Sequence, residues 1–237
     1  MATHIFAAID VGSFELELGI YEISTKNGIR QIDHLRHVIA LGKDTYNTGK
    51  ISYELVDEMC QILAGFKSVM DTYRVEAYRA YATSAMREAK NNQIILDQIL
   101  VRTGIEVEII SNSEQRLLSY KAIAVKETEF SKIIQKGTAI VDVSFGSVQI
   151  SLFDKDALVS TQNMKVGVLR LRELLNRIQA ETRVQYSLVE ELVDNELITF
   201  KKIYLKDREI KNIVGIGESI LYLFRAAGGS EVQKVEK

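Results

Sequence analysis

Two short segments of this 237-residue chain pair a carboxylate with a tight turn between apolar strands. Asp10-Val11-Gly12-Ser13 follows the run Ile5 to Ile9, and Asp142-Val143-Ser144-Phe145-Gly146-Ser147 follows Thr138 to Val141. A third segment, Gly215-Ile216-Gly217-Glu218-Ser219, closes an apolar run and opens a helix. Backbone N–H groups in such turns and at helix starts point at anions, so all three are phosphate or nucleotide loops in outline. Together they describe phosphoryl chemistry in a cleft between two domains. That chemistry needs donors for the phosphoryl oxygens, a carboxylate to hold Mg²⁺ and a carboxylate to activate water. Gly215 and Gly217 alone carry little weight, because glycines before helices are common.

The elements that must position these residues alternate between strand and helix. Leu16, Leu18 and Ile20 alternate with Glu15, Glu17 and Gly19, which predicts a half-buried second strand, and Ile29 to Leu41 holds a third. Ser52 is placed to cap a helix whose apolar positions are Leu55, Met59, Ile62, Leu63, Phe66 and Met70. A strand over Val75 to Tyr81 follows, then a helix from Ser84 to a stop at Gly104. Ile105, Val107 and Ile109 form the next strand and Glu114 to Val125 the next helix.

The second half restarts the scheme. Asp142 lies 132 residues after Asp10, each between the same two kinds of strand, which indicates an internal duplication. The division into domains 1–125 and 126–237 falls at the polar Lys126-Glu127-Thr128-Glu129. Beyond Leu152 the chain reads as mostly helical, over Val168 to Ala180 and Leu188 to Ile203, then a strand at Ile210 to Val214 and a short helix to Ala227. The expected fold class is α/β.

Composition excludes several other functions. A net charge of -2 gives no general electrostatic case for nucleic acid or an anionic membrane. The single cysteine, Cys60, makes no intramolecular disulfide and no metal spacing with His4, His34 and His37. Its apolar neighbours Val56, Met59 and Leu63 mark it as a structural thiol rather than a nucleophile. The amino terminus lacks a signal-peptide pattern, and no apolar run approaches a membrane span, so a cytoplasmic protein is expected.

The decapeptide Ala82-Thr83-Ser84-Ala85-Met86-Arg87-Glu88-Ala89-Lys90-Asn91 closely resembles the signature of the exopolyphosphatase/guanosine pentaphosphate phosphatase (Ppx/GppA) family. Ile9 to Ser13 resembles that family's first phosphate loop, and Asp142 to Gln149 falls on its second. Ile109-Ile110-Ser111 with Glu114 resembles its acidic helix start. Val166 to Leu171 and Val214 to Glu218 resemble later positions. The resemblance implies two actin-like, sugar kinase-like domains around a cleft, the second shortened here. It implies Mg²⁺, held by Asp10 and Asp142, with Gly12, Ser13, Arg87, Gly146 and Ser147 as phosphate-binding residues. The implied substrates are inorganic polyphosphate or a guanosine polyphosphate.

This sequence departs from the pattern where the chemistry is done. The family's helix start carries two glutamates, the second acting as base; here the pair is Glu114-Gln115. The carboxylate that ends the second loop is Gln149 here, and two of that loop's three glycines are Ser144 and Phe145. An amide accepts no proton near neutral pH, and fewer glycines make positive φ harder. Glu15 either repels a phosphate or points to solvent, and Arg87 either binds phosphate or only pairs with Glu88 or caps the helix. One reading is then a homologue impaired in catalysis that still binds a phosphorylated ligand or serves through protein contacts. The other is an active hydrolase using Glu114 or Glu88 as base. The chain stops soon after Gly217, with Gly228-Gly229-Ser230 and a charged tail. Either the domain closes by another route, such as a homodimer, or this is a shortened form.

Overall fold

The computed structural model describes residues 3–26, 28–126, 130–178, 182–206 and 208–228. Contacts divide the chain into two compact units, Met1–Ser111 and Asn112–Lys237.

In the first unit, β1 (Thr3–Val11), β2 (Glu15–Ser24) and β3 (Gly28–Val38) form an antiparallel meander. β4 (Ala77–Ala82) and the short β5 (Glu108–Ile109) add in parallel, giving the order β3-β2-β1-β4-β5. Helices α1 (Leu41–Thr48), α2 (Tyr53–Thr72), α3 (Ser84–Glu88) and α4 (Asn92–Thr103) fill the connections. Successive strand residues face opposite sides. Ile9, Val11, Leu16, Leu18 and Ile20 therefore share one face and are buried in one core with Met59, Cys60, Leu63, Phe66 and Met70 of α2. Each such side chain stabilises the fold by roughly 1.5–3 kcal/mol when fully buried. Asp10 and Glu17 are cross-strand partners on the other face.

Three local expectations change here. The third strand ends at Val38, and Leu41 begins α1 instead. Ser52 precedes α2 with extended backbone, but its side chain makes no cap bond; its N–H donates to Asp44 Oδ2 at 2.8 Å. The helix expected from Ser84 to Gly104 is two helices. Asn91 interrupts it by pinning a distant loop, accepting from Ile51 N–H (3.1 Å) and donating to Ile51 C=O (2.8 Å). Gly104 does end α4, at φ 69°.

The second unit opens with α5 (Asn112–Lys126) and α6 (Phe130–Ile134). β6 (Thr138–Val143), β7 (Val148–Asp154) and β8 (Ala157–Met164) make the second meander. α7 (Val168–Ile178), α8 (Thr182–Phe200), a wide π-type turn at Lys201–Leu205, β9 (Asn212–Ile216) and α9 (Glu218–Ala226) complete it. The sheet order is β8-β7-β6-β9, with β9 parallel to β6. The duplication is thus visible strand by strand: β6 to β9 repeat β1 to β4 in order and direction.

Helix α5 joins the second unit because it packs on the second sheet. Ile123 is buried with Ile140, Phe153 and Ile216, and Tyr120 donates to Ser151 Oγ at 2.5 Å. The sequence division between 125 and 126 leaves this helix at the end of the first domain, whereas contacts group it with the second unit; residues 127–129 and the tail after Gly228 lie outside the described residues. Among the described residues no helix is long and apolar enough to cross a membrane.

Candidate functional site

Both predicted phosphate loops have one construction. Val11 pairs with Leu16 and Val143 with Val148, leaving four residues between the paired positions in each case. The first loop residue donates its N–H to the C=O of the fourth, Gly12 to Glu15 at 2.9 Å and Ser144 to Ser147 at 3.0 Å. The second residue's carbonyl accepts from the second residue of a helix: Ser13 from Gly42 of α1 (2.7 Å), Phe145 from Leu169 of α7 (2.9 Å). Neither Ser144 nor Phe145 has positive φ, so the glycines missing from this loop are not needed for its conformation. That corrects the expectation of backbone difficulty.

In the first unit, Ser13 is buried, with its hydroxyl 2.8 Å from both Tyr46 OH and Ser84 Oγ. A side chain at Gly12 would meet Glu15 O at 2.8 Å. Asp10 Oδ1 is buried. Arg87 follows Ser84 on α3 and donates to Ile110 C=O at 2.6 Å. Burial draws its guanidinium below the usual range, opposed by the charge of Glu88 and by Tyr46. Glu15 does not point to solvent: its side chain is 11% exposed and ion-paired with Arg36 Nε on β3. Burial raises the Glu15 carboxyl above its ordinary value, Arg36 works against that, and Glu17 adds to it.

A raised carboxyl favours folding below its unfolded value and loses that contribution as pH rises through the folded value. Removing the Arg36 cation raises the folded value further. Arg36→Ala is therefore expected to lose more thermal stability between pH 4.5 and pH 7 than the wild type does. Parallel pH profiles of the two would disprove the pairing.

The second unit has its own polar cluster beside the 144–147 loop. Asp142 is buried and accepts from Ser144 Oγ at 2.9 Å. Its cross-strand neighbour is Gln149, whose own neighbour on β8 is Asn163, so three polar side chains cross the sheet in one row. Gln149 is 3% exposed, and its Oε1, like Asn163 Oδ1, is buried without a hydrogen-bond partner. Such acceptors cost free energy unless something supplies a proton or a cation. Gly217 has φ 109°, and a Cβ there would sit 2.3 Å from Val143 O; at Gly215 it would meet Ile220 Cγ2 at 2.5 Å. These glycines thus let α9 start directly beside the end of β6. Gln115 is half-buried in the first turn of α5, and Glu114 beside it is exposed. Tyr120 of α5 bonds Ser151, which shares a face with Gln149, so the helix carrying Gln115 covers that face.

Two residues gain roles that sequence reading did not give them. Arg170 Nε donates to Gly146 C=O at 3.0 Å. A Cβ at Gly167 would lie 2.3 Å from both Gly146 C and Ser147 N, so only glycine lets α7 approach the loop. Asn163 has no signal in the sequence, where the chain beyond Leu152 reads as mostly helical; it enters the row only through the pairing of β8 with β7.

A model of the Ppx/GppA phosphatase family matches residues 20–233. The chain belongs to that family. It is 22% identical over 215 residues to a bifunctional 3-dehydroquinate synthase/phosphatase of Fusobacterium nucleatum, covering 83% of this chain and 31% of that one. It is 24% identical over 210 residues to exopolyphosphatase 2 of Mycobacterium tuberculosis, covering 83% and 63%. The chain thus spans less than two thirds of these curated relatives. The Ppx/GppA family member of Aquifex aeolicus superimposes with a TM-score of 0.72 at 23% identity, over 98% of this chain and 72% of that one. The two duplicated sheets are accordingly the two actin-like domains of a Ppx/GppA protein.

Proposed function

We propose that this chain is a Ppx/GppA-type phosphatase homologue that binds inorganic polyphosphate or guanosine pentaphosphate in the cytoplasm but releases terminal phosphate poorly. The observation that carries the reading is Gln149, a buried amide with an unpartnered oxygen beside the Asp142 carboxylate. Together with Gln115 it leaves both expected carboxylate positions without a group that takes a proton. Ser13 and Arg87 of the first unit, and separately Gly146 and Ser147 of the second, are the candidate donors to phosphate oxygens.

Among the described residues no three acidic, histidine or cysteine side chains converge as a metal cage. Mg²⁺ asks for less, usually one or two carboxylates with substrate oxygens and water completing its shell. The buried pair Asp142 carboxylate and Gln149 Oε1 fits that demand, and Asp10 is the corresponding carboxylate of the first unit. When bound, the ion would neutralise phosphoryl charge.

The test is phosphate release from polyphosphate and from guanosine pentaphosphate with Mg²⁺, set beside equilibrium binding of the same compounds. Binding with little release is the expected result. Robust wild-type turnover overturns the reading and moves the base to Glu114 or Glu88; loss of binding as well leaves a protein that acts through protein contacts.

A further inference from the structure

The second unit has a cavity at the end of its sheet opposite the 144–147 loop. It lies where β6 begins and β7 ends, five residue steps from Val143, or roughly 17 Å along the strand. Its volume is about 430 Å³, inside the span of roughly 300–1,000 Å³ typical of small-molecule sites. The floor is apolar, made by Leu152, Val159 and Ile210 of one core cluster.

The rim is basic, with Lys136, Lys155, Arg208 and Lys211 set against Asp154 and Glu209. Lys211 is paired with Glu209 at 3.5 Å. Among the described residues, the side chains of Lys136, Lys155 and Arg208 have no carboxylate partner. Four basic side chains against two carboxylates give the rim a net positive charge in a chain whose net charge is -2.

Lys155 is also held there at a cost. It and Asp156 form the two-residue turn between β7 and β8, with φ of 50° and 63°. Asn-Gly or Asp-Gly makes that turn with less strain, and a non-glycine residue in the left-handed region costs on the order of 1–3 kcal/mol.

We propose that this cavity is a second ligand site, separate from the phosphate loops, for an organic polyphosphate of the nucleoside triphosphate class. The base lies on the apolar floor and the phosphates meet Lys136, Lys155 and Arg208. A bare inorganic anion would leave the floor unused. The inference does not depend on whether the chain hydrolyses anything.

Lysine acetylation of the full chain, read residue by residue by mass spectrometry in the presence of EDTA, tests it with GTP, tripolyphosphate and guanosine as probes. GTP is expected to protect Lys136 and Lys155 strongly, tripolyphosphate weakly and guanosine hardly at all. Charge reversal of two exposed rim residues, Lys155→Glu with Arg208→Glu, should weaken GTP binding by about tenfold or more, and protection of Lys136 should disappear. The milder Lys155→Gln should give an intermediate loss. Equal protection by tripolyphosphate overturns the organic-ligand assignment. Absence of GTP protection, or its survival in the charge-reversed variant, overturns the site.

Discussion

Restoring both carboxylates, with Gln115→Glu and Gln149→Glu together, is expected to raise phosphate release from polyphosphate by ~10²–10⁴ over the wild-type chain, the usual contribution of a positioned base. Position 115 accepts the change readily. It lies in the first turn of α5, where a negative charge is favourable by about 0.3–1 kcal/mol. Position 149 is harder, because a carboxylate there is buried and stands directly across the strand pair from Asp142. Two carboxylates side by side repel each other, and burial leaves little water to screen them. Gln149→Glu alone should therefore melt lower than wild type in EDTA and recover with Mg²⁺. Phosphate release and melting temperature, each with and without Mg²⁺, check both parts. A double variant that melts normally with Mg²⁺ yet stays inactive would place the defect in Phe145 or Glu15.

The second large effect concerns a residue that touches no substrate. Gly167→Val should destabilise the second unit by about 1–3 kcal/mol, the usual range for overpacking, and should abolish polyphosphate binding. The added Cβ meets backbone on two sides, Gly146 C and Ser147 N at 2.3 Å, so no flexible side chain can yield. Either α7 retreats or the loop does, and both movements break the Leu169 N–H to Phe145 C=O bond. Gly65→Ala is the contrasting control. Gly65 lies within α2 with open space where a Cβ would be, so that change should stabilise by roughly 0.5–1 kcal/mol. Urea unfolding of the two variants decides the matter. A Gly167→Val chain as stable as wild type would show that the loop does not depend on this contact.

Much of the fold was legible because each half contains one strand whose apolar residues alternate strictly. Leu16, Leu18 and Ile20 announce β2, and Val148, Ile150 and Leu152 announce β7. β8 was not legible, since its polar run Ser160 to Asn163 carries no apolar alternation and its place is set by pairing with β7. The break between α3 and α4 was hidden for a similar reason. It depends on Asn91 reaching a loop forty positions away, which no local pattern records. The domain boundary followed composition, whereas α5 takes its place from Tyr120 and Ile123 packing on the second sheet. At the site, Asp10, Asp142 and the loop residues could be named from their turns. Gly167, Arg170 and Asn163 could not be given roles, because theirs arise only when α7 and β8 return to the loop.

Gly12-Ser13-Phe14-Glu15 and Ser144-Phe145-Gly146-Ser147 share no residue type at any position, yet both close with the same bond and hang from the second residue of a helix. Their shape is imposed from outside, by strand register below and by a helix above. A loop held in this way is free to change its chemistry over generations without the molecule ceasing to fold. Side chains in such a loop can then be exchanged one at a time with little cost to folding. That freedom stops at Gly12, where a side chain would come within 2.8 Å of Glu15 O, so an exchange of these four residues between the halves is limited by that one position.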